Sequence, residues 1–156
     1  MSNTNKGAGI LLVAQDTGRL CFVKRSPNVS AEPNTWSLIA GGVEQGEAWS
    51  KTARREAKEE AHIVGNPTLF LLYTDTDEKT GFVFKNFLAF SATELQLKLN
   101  WENSEFKWVP YGTWPKPLHP GVTRMLANKR VQAMLQKATT AKKLPSSLIY
   151  REVKKD

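Results

Sequence analysis

From Gly41 to Ile63 the chain reads GGVEQGEAWSKTARREAKEEAHI, a glycine-rich loop running directly into a helix-forming segment. Ala48 to Ala61 holds strong helix formers and no glycine or proline for more than three turns, which predicts a helix. Pro67 blocks any extension past His62 to Gly65. Five acids and two adjacent arginines lie between Gly41 and Glu60. On a helix, Glu56, Glu59 and Glu60 stand at i, i+3 and i+4, so their carboxylates project within an arc of about 100° and can converge on one point. Their repulsion calls for an opposing charge. Lys51, Arg54, Arg55 and Lys58 could supply it as a solvated helix face laced by i, i+4 pairs, the default reading for three such acids. Against that default stands the glycine-rich loop upstream, which can bring Glu47 and backbone carbonyls against the same helix face. Magnesium or manganese is then the natural counter-charge, because hard cations prefer carboxylate and carbonyl oxygens. Zinc is disfavoured, since His62, His119 and Cys21 are widely spaced with no ligand-like pattern.

Upstream, Ala8 to Ala14 and Arg19 to Lys24 are β-rich runs joined by Gln15-Asp16-Thr17-Gly18, which predicts an antiparallel hairpin. Ser26 to Asn34, with Pro27 and Pro33, reads as a loop leading to the short apolar segment Trp36 to Ala40. Downstream, Thr68 to Thr76 and Gly81 to Ala92 flank the polar link Asp77-Glu78-Lys79-Thr80 as a second hairpin, and Phe106 to Val109 is a further short strand. Tyr111 to Pro120 should be loop. Val122, Met125, Leu126, Val131, Met134 and Leu135 then recur at helical spacing, predicting one helix over roughly Gly121 to Thr139. Leu148 to Val153 is either an edge strand or disordered. Strands outnumber helices and are interspersed with them, so the predicted class is α/β with a mixed sheet.

With 156 residues, 40% of them apolar and 24% charged, one domain over residues 1–156 is expected, its core at about 8–139. The longest apolar stretches fall far short of the roughly 20 residues that cross a bilayer, and Met1 to Lys6 is polar, so neither a membrane span nor a secretory signal is expected. The lone Cys21 sits in an apolar run as a small core residue would and favours a reducing, cytoplasmic setting. Residues 126–156 carry eight lysines and arginines against two acids, six of the seven net positive charges. The basic tail at about 140–156 can steer anionic nucleotides or RNA, or be a solvated helix face with a frayed end. The residues specify no oligomeric state; a homodimer is simply the commonest assembly.

The stretch from Gly41 resembles the Nudix box, G-x5-E-x7-R-E-U-x-E-E-x-G-U with U a bulky apolar residue. Gly41, Glu47, Arg55, Glu56, Glu59, Glu60 and Ile63 match in register. Chance would produce this spacing in about one chain in 10⁵ of this length. The chain departs from the pattern at His62, where glycine is expected, at the small Ala57, and upstream at Ile39-Ala40, where many members have Pro-Gly. Histidine enters the left-handed backbone that glycine would supply more readily than bulky or β-branched residues do. Phe22 to Ser26 before Trp36-Ser37-Leu38, and Glu102 to Val109, are also similar to family strands, so the likeness spans about residues 8–110.

The resemblance implies an α/β/α sandwich on a mixed sheet, a loop-helix-loop metal site, and magnesium- or manganese-dependent cleavage of a pyrophosphate bond in a nucleotide-type substrate. By position, Glu56, Glu59 and Glu60 match the metal-binding carboxylates, with the carbonyl of Ala40 or Gly41 as backbone ligand. Glu56 either binds metal or acts as base. Glu47 and Arg55 match a structural brace, and Glu102 or Glu105 is the candidate base from the later strand. Lys24 and Arg25 alternate across a strand, so one of them can face the site, Arg25 being chosen for a substrate phosphate. Trp36, Trp49, Tyr73, Phe84 and Trp114 are read as core rather than as base-stacking residues, and His119 as structural. Nucleoside triphosphates are the expected substrates. An RNA 5′ end, suggested by the basic tail, is the enzymatic variant, and a non-catalytic module that senses nucleotides or RNA is the alternative from another class.

Overall fold

The computed structural model describes residues 5–152. Strands β1 (Lys6–Ala14) and β2 (Leu20–Arg25) form the predicted hairpin, with Leu12 opposite Cys21 and Val13 opposite Leu20. The segment after the Pro-rich loop folds into β3 (Trp36–Ser37) and β4 (Ile39–Gly42). Helix α1 (Trp49–Ala61) follows, then the second hairpin, β5 (Phe70–Thr76) with β6 (Val83–Ser91), and β7 (Asn103–Val109). The sheet order is β3-β2-β1-β6-β5, with β4 also on β1 and β7 on β2. β1 runs parallel to β6 and antiparallel to β2 and β4, so the sheet is mixed.

Period-two alternation along β1 divides the core in two. Leu11 and Val13 face one way, under Val122, Met125, Val131 and Leu135. Ile10 and Leu12 face the other, under Ala53, Ala57 and Ala61 of α1. The small side of α1 lets it lie close on the sheet, and the result is an α/β/α sandwich.

Where one helix is predicted over Gly121 to Thr139, two are found: α2 (Pro120–Ala127) and α3 (Lys129–Ala141). The break is at Asn128, whose extended backbone (φ −78°, ψ 130°) ends α2 and whose Oδ1 accepts from the Val131 N–H at 3.0 Å, capping α3. The apolar periodicity runs through both because each helix turns the same face to the sheet. Asn128→Ala should cost about 1 kcal/mol through the lost cap, read as a melting temperature lower by about 2–4 °C.

The stretch read as a basic tail begins inside α3. Beyond a short 3-10 turn at Ser146–Leu148, Ile149 bridges to Phe70 and the Tyr150 N–H donates to the Leu69 carbonyl. This single bridge stands where an edge strand over Leu148 to Val153 was one of two expectations; Val153 lies outside the described residues. The Glu152 carboxylate accepts from the Ser50 N–H at 2.7 Å and so caps α1, whose own N-cap, Ala48, offers no side-chain acceptor.

A carboxylate cluster and a neighbouring cavity

Helix α1 ends at His62 in the left-handed region (φ 57°, ψ 29°), closed by Ile63 N–H to Ala57 O at 3.1 Å and His62 N–H to Lys58 O at 3.0 Å. The departure from glycine is therefore accommodated by the backbone geometry itself. The last carbonyls of the helix are met from residues 98–100: Lys98 N–H reaches Ala61 O, while Asn100 donates from its backbone to Glu60 O at 3.0 Å and from its side chain to Glu59 O at 3.1 Å. This docking delivers the start of β7 to the acidic face of α1. Asn103 Nδ2 donates to Glu60 Oε1 at 3.0 Å, and the Glu102 charge acts on Glu60.

The three helix acids do not share one environment. Glu56 and Glu60 turn toward the sheet and are 7% and 3% exposed, whereas the Glu59 side chain is 54% exposed. Arg55 sits among them as a hub. Its Nε and Nη2 fork onto Glu47 at 2.8 and 3.0 Å, Nη1 donates to Glu56 at 2.6 Å and Glu59 at 3.1 Å, and Nη2 also reaches the Gly42 carbonyl at 2.9 Å. Glu47 further accepts from the Thr52 hydroxyl at 2.7 Å and the Glu44 N–H at 3.1 Å. Gly46, at φ 78°, makes the turn that returns Glu47 to this position. At Gly41 space matters instead: a Cβ there would collide with the Glu56 carboxylate, so β4 backbone lies directly against that acid.

These contacts polarise the carboxylates in opposite directions. The Arg55 hydrogen bonds hold Glu47 down at about 2. Burial first, then the neighbouring Glu56 carboxylate and the charge of Glu102, push Glu60 up to about 9. Glu60 Oε2 is buried without a protein partner. Among the described residues no three acid, His or Cys side chains form a ready metal cage, and Arg55 engages both Glu56 and Glu59. The donor set nevertheless fits a hard divalent cation: two buried, repelling carboxylates, one unmet oxygen, and glycine backbone pressed against them.

A stability prediction follows. Between the ordinary carboxylate value of 4.5 and about 9 the folded chain keeps the Glu60 proton that the unfolded chain has lost, so stability falls as pH rises through that window. Glu47 has the opposite sign, and its contribution disappears as pH drops from 4.5 through about 2. In chelator, calorimetry should show the melting temperature declining from pH 5 to 9, and Glu60→Gln should flatten the decline.

Other expected site residues are spread more widely. Lys24 pairs with Glu105 at 3.6 Å. Phe106 packs in the α1 half of the core, so Glu105 points to the opposite sheet face, and the fold does not bring it to the α1 acids. Arg25 instead lines a cavity of ≈ 460 Å³ on the far side of β4, its Nε donating to the Ala31 carbonyl at 2.9 Å. Ala40, Gly41 and Gly42 form the wall common to this cavity and the acid cluster. Trp36 packs in the core, Tyr73 and Trp114 pack against it, and Trp49 lies beneath the ammonium groups of Lys6 and Lys85. Phe84, read as core, lines the cavity, and so does His119. His119 caps α2, its Nδ1 accepting from the Gly121 N–H at 2.9 Å. Asn86 and Asn103 were not singled out in the sequence, because single asparagines inside strand runs carry no local signal.

The chain belongs to the Nudix family: the family model described as NUDIX domain matches residues 3–128. It is accordingly a hydrolase of the class that acts on pyrophosphate bonds. No curated protein matches it at a significant level. Among solved structures it is similar to a Nudix hydrolase from M. smegmatis, RenU, with a TM-score of 0.65, 22% identity, and 90% of this chain and 89% of that one covered. It is also similar to a C. elegans Ap4A hydrolase (0.60, 21%, 86% and 96%) and to the E. coli dihydroneopterin triphosphate pyrophosphohydrolase (0.59, 22%, 87% and 96%). At these identities the likeness speaks for the shared fold. None of the helices among the described residues is long and apolar enough to cross a membrane.

Proposed function

We propose that the chain is a divalent-metal-dependent pyrophosphohydrolase of nucleotide substrates, with nucleoside triphosphates as the favoured class. The observation that carries this reading is the buried Glu56–Glu60 pair, with Glu56 pressed against Gly41 and one Glu60 oxygen left without a protein partner. Magnesium or manganese would be held by Glu56 and Glu60 with the Ala40 or Gly41 carbonyl, and by Glu59 from the exposed side. Bound there, the ion neutralises phosphate oxygens and lowers the pKa of water. The chain's own residues do the remaining work. Glu47 and Thr52 hold Arg55, and Arg55 fixes the rotamers of Glu56 and Glu59. Asn103 and Asn100 fix Glu60 and the helix end. Arg25, in the cavity behind β4, binds a substrate phosphate, while Lys24 stays with Glu105. For the proton from the attacking water we favour Glu102, whose charge acts on Glu60, over Glu105.

The test is a magnesium-supported turnover screen over nucleoside triphosphates, nucleotide sugars and dinucleotide polyphosphates, with products identified. Triphosphates should yield monophosphate and pyrophosphate. In the same assay Glu102→Gln should slow turnover by about 10²-fold or more, as loss of a general base does, and Glu105→Gln should stay within about threefold, as an exposed pair contributes little. A folded chain inert on the whole panel would sink the reading.

A further inference from the structure

Between β6 and β7 the chain runs from residue 92 to residue 102 without helix or strand. Leu97 anchors the middle of this loop in the α1 half of the core, and Trp108 Nε1 donates to the Leu95 carbonyl at 3.0 Å. The last part, from Lys98 to Glu102, is tied to the C-terminal end of α1. Asn100 is the centre of that attachment. Its backbone N–H and its Nδ2 donate to the Glu60 and Glu59 carbonyls, Nδ2 also reaches Glu102 Oε1 at 3.4 Å, and Oδ1 accepts from the Glu102 N–H at 3.0 Å. One residue therefore joins the last turn of α1 to both the backbone and the carboxylate of Glu102.

His62 adds a second attachment, at a position where the chain departs from the box. Its Nδ1 lies 2.8 Å from the Lys98 carbonyl. A carbonyl only accepts, so Nδ1 carries the proton and donates. The Lys98 N–H reaches the Ala61 carbonyl at 3.4 Å, so both backbone polar groups of Lys98 are engaged by the end of α1. Glycine at φ 57° would close the helix without steric cost and would offer Lys98 no side-chain donor. Closing the helix does not account for an imidazole here; the bond to Lys98 does.

We propose that His62 is a positioning residue for the hydrolysis: its imidazole, together with Asn100, latches residues 98–102 to the end of α1 and sets where the Glu102 carboxylate stands relative to Glu60. Without the His62 bond Lys98 keeps only its longer contact to Ala61, and the loop end gains freedom in which Glu102 leaves its place. The proposal rests on the reading of Glu102 as the base. Glu56, Glu60 and Arg25, which that reading assigns to metal and phosphate, are untouched, so the loss falls on kcat rather than on KM.

The test compares His62→Gly and His62→Asn with the unaltered full chain. Asparagine enters the left-handed region readily, and its Nδ2 stands as many bonds from the backbone as the histidine Nδ1, so it restores the donor. In chelator, amide hydrogen exchange at Lys98 and Asn100 should be about tenfold faster in His62→Gly, as expected for the loss of one hydrogen bond, and should return close to the original rate in His62→Asn. The melting temperature of His62→Gly should stay within about 3 °C of the original, because relief of the left-handed backbone offsets the lost bond. With magnesium, His62→Gly should lower kcat by about tenfold or more, with KM and the magnesium requirement within about twofold, as a displaced catalytic group does. His62→Asn should recover most of that loss. Unchanged exchange in His62→Gly, a loss expressed in KM, no recovery in His62→Asn, or a kcat loss accompanied by a collapse of the melting temperature would each overturn the proposal. If Glu102→Gln leaves turnover unchanged while exchange responds as described, the latch stands and only the choice of base falls. If Glu102→Gln slows turnover and His62→Gly does not, the base stands and the latch falls.

Discussion

Glu60→Gln is expected to lower kcat/KM by more than about 100-fold, because loss of a residue that merely supports a metal ligand already costs about 10- to 100-fold. The same substitution should leave the melting temperature in chelator unchanged or raised above pH 7. Glu60 is buried beside Glu56 with one oxygen unmet, and its carboxyl is pushed up to about 9 by burial first and by its neighbours second. Glutamine is uncharged at every pH and so removes the cost of ionising there. Lower activity joined to higher stability is the signature of a group retained for chemistry rather than for folding. A variant with both properties reduced together would mark Glu60 as an ordinary structural residue.

Arg55→Ala should have the largest effect on stability, about 3 kcal/mol, as expected when one side of a largely buried ion pair is removed. The guanidinium engages Glu47, Glu56, Glu59 and the Gly42 carbonyl, and the Glu47 and Glu56 side chains are only 7% and 9% exposed. Without Arg55 those carboxylates face one another uncompensated. For a chain of this length the melting temperature should fall by about 6–12 °C, and Arg55→Lys should recover little, because a point charge cannot fork onto Glu47 and still reach Gly42. Turnover should fall as well, and excess magnesium should restore part of the lost stability by replacing the missing positive charge. A shift within experimental error would show that Arg55 is a surface residue.

How much of this is written locally in the chain can be seen residue by residue. The i, i+3, i+4 spacing of Glu56, Glu59 and Glu60, and the loop distance from Gly41 to Glu47, depend on neighbours in sequence and are legible there. So are the two hairpins, whose polar links announce their turns. The difference between Glu59 and Glu60 is not: both lie in the same arc, and only the position of the sheet decides that Glu60 is buried and Glu59 is not. Asn103 meets Glu60 across 43 residues and Glu152 caps α1 across 102, pairings that no local pattern encodes. The same holds for His119 and the β6 residues Phe84 and Asn86, which gather at one cavity from two separate segments. Asn128 was legible in principle as a helix cap, but an apolar stripe continuous across it masks the break. Glu152 also changes how the C-terminal residues should be tested, since deleting residues 140–156 removes the cap of α1 along with the positive charge.

Crystals soaked in manganese test the central claim most directly, through anomalous scattering. The predicted result is a peak between the Glu56 and Glu60 carboxylates at β4, with oxygens at about 2.0–2.2 Å as for a hard divalent ion, and its loss in Glu60→Gln. Fully soaked crystals with no peak between those two carboxylates, or with manganese bound only elsewhere, would contradict it.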